Sequence, residues 1–112
     1  MDVAHARELL SRERARIEDA LEGLARNEEQ ELSQVDQHPA DSGTELFQRE
    51  YDEGLTTRLR EELAAIERAE ARVEEGTYGT SVESGEPIPD ARLEAMPWAE
   101  RTVAEQERLD RH

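Results

Sequence analysis

Two apolar seams, each spaced for a helix, constrain this chain more than anything else in it. Val3, Leu10, Ile17 and Leu24 recur every seven residues, with Leu21 beside them. From Thr44 to about Glu75 the pattern returns as Phe47, Tyr51, Leu55, Leu59, Leu63, Ile66 and Val73, at steps of four, three and seven. Both patterns predict amphipathic helices with one narrow apolar stripe. Between them runs Gln34-Val35-Asp36-Gln37-His38-Pro39-Ala40-Asp41-Ser42-Gly43, rich in helix breakers. Ser42 or Thr44 is placed to cap the second helix, with Glu45 in its first turn.

Two helices of similar length joined by a short connection fold back on each other. In an antiparallel pair, facing residues have a constant sum of positions. Val3 with Val73, Leu10 with Ile66, Ile17 with Leu59 and Leu21 with Leu55 share that sum, and Leu24 with Tyr51 misses it by one. The register predicts an all-α, antiparallel coiled-coil helical hairpin over residues 1–75, with its tip at 34–43. At 1.5 Å per residue each helix would run about 50 Å. Glu13 and Glu28 fall on the seam opposite Leu63 and Phe47, so the hairpin alone is marginal. Gly23 and Gly54 should face each other. They are either tolerated helix glycines or a soft joint where the helices approach closely.

Composition agrees with a thin architecture. The 112 residues include one Trp, two Tyr and one Phe, too few for a thick core, and no Cys, which removes disulfides and thiolate metal sites. There are 29 Asp+Glu against 14 Lys+Arg, a formal charge of −15, and every basic residue is Arg. Such a chain is repelled by phosphate backbones and anionic membranes, so no direct nucleic-acid binding and no membrane contact are expected. No apolar run approaches a membrane span or signal segment, and the expected location is cytoplasmic. No P-loop, GxGxxG, HExxH or nucleophile motif is present, so an enzyme is not expected. The paired glutamates, such as Glu61-Glu62, read as solvated helix faces with Arg three or four residues away.

Residues 76–112 are expected to close the open end of the hairpin. Gly76-Thr77-Tyr78-Gly79 is a turn-rich exit, and Thr80 to Pro89 is too rich in Gly and Pro for helix. Pro97 then opens an expected final helix through about Leu109. Tyr78, Val82, Ile88, Leu93, Met96, Trp98 and Val103 are the apolar residues available for a small cluster, with Trp98 its largest expected contributor.

The order Tyr78-Gly79, Gly85, Ile88-Pro89, Arg92-Leu93-Glu94-Ala95, Pro97, Ala99 resembles the C-terminal signature of the DksA/TraR family, YGxCxxCGxxIPxxRLEAxPxAxxCxxC. In that family the segment is a four-cysteine zinc finger. Here the metal positions fall on Ser81, Ser84, Thr102 and Glu105, so residues 76–112 read as a degenerate, metal-free finger with no cofactor. Ser and Thr hydroxyls do not replace thiolates as zinc ligands at neutral pH. The tip also resembles the family: His38-Pro39-Ala40-Asp41 followed by Gly43-Thr44-Glu45 is similar to the HPAD-x-GTE tip of shorter members.

The resemblance implies a regulator that binds RNA polymerase rather than DNA. Its coiled coil would enter the secondary channel and bring acidic tip residues near the catalytic centre, often with the alarmone ppGpp. On this reading Asp36, His38, Pro39, Ala40 and Asp41 contact the partner. Other members carry DxxDxA at the tip. Aligned on Pro39, its positions fall on His38, Asp41 and Gly43, so one acid stays in register and Asp36 lies two residues upstream. His38 can carry a proton near neutral pH. For ppGpp, the bases in the finger are Arg92, Arg101, Arg108 and Arg111. Arg92 reads most simply as a structural residue bonding inside the finger. The alternative is a non-enzymatic coiled-coil interaction or scaffold protein that keeps the fold without polymerase activity.

Overall fold

A computed structural model describes residues 1–34 and 42–112. Four helices follow in order: α1 (Val3–Gln34), α2 (Ser42–Glu75), α3 (Asp90–Ala95) and α4 (Val103–Asp110). Among the described residues there is no strand, only an isolated antiparallel bridge between Thr80 and Pro87. The expected all-α fold, a coiled-coil hairpin followed by a small globule and a final helix, is the observed one. The chain divides into two compact units, residues 1–14 with 64–112, and residues 15–63.

In the first unit α1 and α2 run antiparallel, held by Arg7 to Glu74 at 2.9 Å and Arg14 to Glu70 at 2.7 Å. Leu10, Ile66 and Val73 of the expected seam are buried, joined by Ala6 and Ala69. The alanines were missed because the heptad pattern weighs large side chains, whereas a methyl at the contact is what lets two backbones come close. Val3 is exposed. In the second unit Ile17 and Leu59 are buried, and Leu21, Leu24 and Leu55 are half-buried. Further along α2 the expected seam is not covered, and Phe47 and Tyr51 stand in solvent. Nor do Gly23 and Gly54 mark a close approach: a Cβ on either would meet nothing within 4 Å.

The end of α2 is set by Gly76, whose φ of 79° lies in the left-handed region that a side chain disfavours. Thr77 N–H reaches Arg72 O at 2.9 Å and Gly76 N–H reaches Val73 O at 3.3 Å, the paired bonds that satisfy the last helical carbonyls. The globule's core is Ile88, Leu93 and Ala99, with Met1 and Tyr78 packed against it. The expected cluster was too broad. Val82, Met96 and Val103 are exposed, and Trp98 is half-buried. The start of the expected final helix at Pro97 is also corrected, and a short helix not expected precedes it. Arg92-Leu93-Glu94-Ala95 forms α3, and Met96, before Pro97, is driven out of the helical region to φ −143° and ψ 79°. The last helix starts only at Val103, where Thr102 caps it.

Candidate functional site: a finger built on hydroxyls and a carboxylate

The finger begins as a tight turn around Ser81. Its N–H donates to Glu86 O at 2.8 Å, and its carbonyl accepts from Gly85 N–H at 2.9 Å. Gly85, at φ 77°, supplies the left-handed residue that the turn needs. Ser81 is only 4% exposed. Its Oγ accepts from the backbone N–H groups of Glu83 at 3.1 Å and Ser84 at 3.3 Å. Ser84 Oγ accepts in turn from Glu86 N–H at 3.2 Å.

The second half is a helix start. Thr102 Oγ1 accepts from Glu105 N–H at 3.3 Å, and Thr102 N–H donates to Glu105 Oε1 at 2.9 Å, a complete capping box. Glu105 is also 4% exposed. Its carboxylate accepts from Thr102 N–H at 2.9 Å, and hydrogen-bonding interactions with the Ser84, Ser81 and Thr102 hydroxyls add to that bond. These bonds favour the charged form and hold its pKa down at about 2, although burial pushes the other way.

Ser81, Ser84, Thr102 and Glu105 therefore meet around one carboxylate. They are the four positions that the resemblance assigns to metal ligands. The set does not fit zinc. It offers three hydroxyls and one carboxylate, and those oxygens are already engaged with one another and with backbone N–H groups. A closed hydrogen-bond cluster occupies the place where thiolates would converge.

Other contacts hold the finger within its unit. Arg92 Nε donates to Arg101 O at 2.9 Å, which is the bond inside the finger expected for it. Tyr78 Oη donates to Pro97 O at 2.8 Å. Burial raises the Tyr78 pKa, opposed by the charge of Arg72 and reinforced by Glu94. Glu100, which sequence reasoning missed, takes Arg68 at 2.6 Å and Arg72 at 3.2 Å. Burial raises its pKa, but the Arg68 bond and the two guanidinium charges outweigh that and lower it. No spacing rule pairs a loop glutamate with arginines some thirty residues earlier, so nothing in the sequence pointed to it. The tip residues Asp36, His38, Pro39, Ala40 and Asp41 lie outside the described residues.

The family model for the prokaryotic dksA/traR C4-type zinc finger matches residues 76–111, which are the residues of this globule. The solved structure of transcription factor DksA2 from Pseudomonas aeruginosa superposes with a TM-score of 0.79 at 30% identity, covering 97% of this chain and 83% of that one. This chain belongs to the DksA/TraR family. Among curated relatives, the uncharacterized protein YteA of Bacillus subtilis is 49% identical over 75 residues, 67% of this chain and 31% of that protein. RNA polymerase-binding transcription factor DksA of Caulobacter vibrioides is 46% identical over 66 residues, 55% of this chain and 46% of that protein. The chain thus matches less than half the length of these two relatives.

Proposed function

We propose that this chain is a DksA-like transcription regulator that binds RNA polymerase and reaches into its secondary channel with the coiled-coil tip. The observation that carries the reading is the likeness over 97% of the chain to a transcription factor of the family, hairpin and finger together. A relative named as RNA polymerase-binding, 46% identical over 66 residues, supports it. The charge of −15 suits a factor that approaches a protein rather than the phosphate backbone.

In this reading the finger cluster is structural, and the tip acts. Asp41, beside Pro39 and Ala40, is the acid in register with the family's tip, and Asp36 and His38 flank it. In a confined channel, desolvation makes a carboxylate's charge count for far more than in water. The alarmone ppGpp is a further partner to test, with Arg92, Arg101, Arg108 and Arg111 as the finger's available bases. Competition binding to purified RNA polymerase tests the reading. Saturable binding supports it, and no binding at micromolar concentrations would leave a coiled-coil scaffold role instead.

A further inference from the structure

Packing leaves two glycines of the second unit unexplained. Gly23 and Gly54 lie inside α1 and α2, neither adopts a left-handed backbone, and a Cβ on either would meet nothing within 4 Å. Alanine would therefore fit at both positions. Glycine instead lowers helix formation about fivefold relative to alanine. The two positions miss the hairpin register by one, so both helices are weakened at the same level.

Two further observations fall at that level. Thr57 Oγ1 donates to Glu53 O at 3.0 Å, the carbonyl that the helix ladder assigns to Thr57 N–H, in the turn that holds Gly54. Glycine and hydroxyl back-bonding of this kind are both causes of helix bending. Side-chain cover also fades here. Ile17 and Leu59 on the base side are buried, Leu21, Leu24 and Leu55 around the glycines are half-buried, and Phe47 and Tyr51 beyond them are exposed. On the base side Arg16 also reaches across to Glu62, at 3.9 Å. Weak propensity, a contested carbonyl and thin apolar cover are what local opening of a helix requires. Bending at this level redirects the chain between the two glycines, which includes the tip.

We propose that Gly23, Gly54 and Thr57 form a joint at which the outer part of the hairpin bends, and that RNA polymerase engages this pliable arm rather than a rigid rod. The use on polymerase rests on the reading above; the joint itself does not. Native-state hydrogen exchange on the full chain, corrected for intrinsic rates, reads the joint. The parent should show a minimum of protection at residues 22–25 and 53–57, with higher protection on both sides. Protection that instead falls steadily from Ile17 to Leu24 and from Leu59 to Tyr51 is fraying toward the tip and overturns the joint. Gly23→Ala with Gly54→Ala should keep parental helicity and raise protection at the minimum about fivefold. Thr57→Val should raise it at 53–57 alone. In transcription at matched occupancy the double variant should lose severalfold in effect. A double variant with the minimum filled that acts as strongly as the parent overturns the use of the joint and leaves the polymerase reading standing. If the parent neither binds nor acts, that reading falls, and the exchange minimum still decides the joint.

Discussion

Ser81→Ala should cost the finger about 2 kcal/mol. The buried Oγ accepts two backbone N–H groups, at 3.1 and 3.3 Å, and also bonds to the Glu105 carboxylate. Removing it from the 4% exposed Ser81 leaves two backbone donors without their partner, while the Glu105 carboxylate keeps the Thr102 N–H. Each orphaned buried group costs about 1–3 kcal/mol, and the long N–H contacts belong at the low end. About 1 kcal/mol for each of the two donors gives the total. Ser84→Ala is the internal control. Its Oγ serves the exposed Glu86 N–H and Glu105, so about 1 kcal/mol is expected. Ser81→Cys, nearly isosteric but a weak acceptor, should recover little. Urea unfolding followed by Trp98 fluorescence reads all three, with an unchanged m-value showing that only stability moved. A loss below about 0.5 kcal/mol for Ser81→Ala would refute the claim that this cluster holds the finger.

The remaining predictions concern the same globule. Because the Glu105 pKa is lowered from 4.5 to about 2, its contribution is fully present above pH 4.5 and is lost as pH falls toward 2. Urea midpoints at pH 5 and pH 3 should therefore fall more steeply for the parent than for Glu105→Gln, and equal slopes would remove the charged cluster from the account. Leu93→Ala, at a fully buried core position, should cost about 2–5 kcal/mol by thermal unfolding, with less than 1 kcal/mol showing that the site is not packed as described. EDTA should leave the thermal midpoint unchanged and elemental analysis should find no zinc, whereas stoichiometric zinc would contradict the misfit of the four side chains.

Much of the fold was legible because it is one-dimensional. A heptad repeat and its mirror register place Leu10, Ile17, Leu59, Ile66 and Val73 in the interior, and all five are buried. The same rule failed at Phe47 and Tyr51, since periodicity says which face a residue is on and not whether anything covers it. The finger was legible only through the resemblance. Its local physics adds a short helix before Met96-Pro97 that the sequence reading did not assign, and starts the final helix at Val103 rather than at Pro97. The four former ligand positions could be read off the signature. That they close around Glu105 could not, because the convergence depends on turn geometry at Ser81 and a cap at Thr102. Glu100 with Arg68 and Arg72 is a tertiary contact without a local signal.

The most direct test of the account is in vitro transcription by purified RNA polymerase from a sensitive promoter. The parent and Asp41→Asn are compared at matched occupancy, with Asp36→Asn alongside to ask whether that acid contributes. The account predicts that the parent alters transcript yield and that Asp41→Asn binds with nearly the same affinity but loses most of the effect. A parent that binds and acts together with an Asp41→Asn that acts equally well would contradict the tip mechanism. A parent that neither binds nor acts would contradict the polymerase function itself.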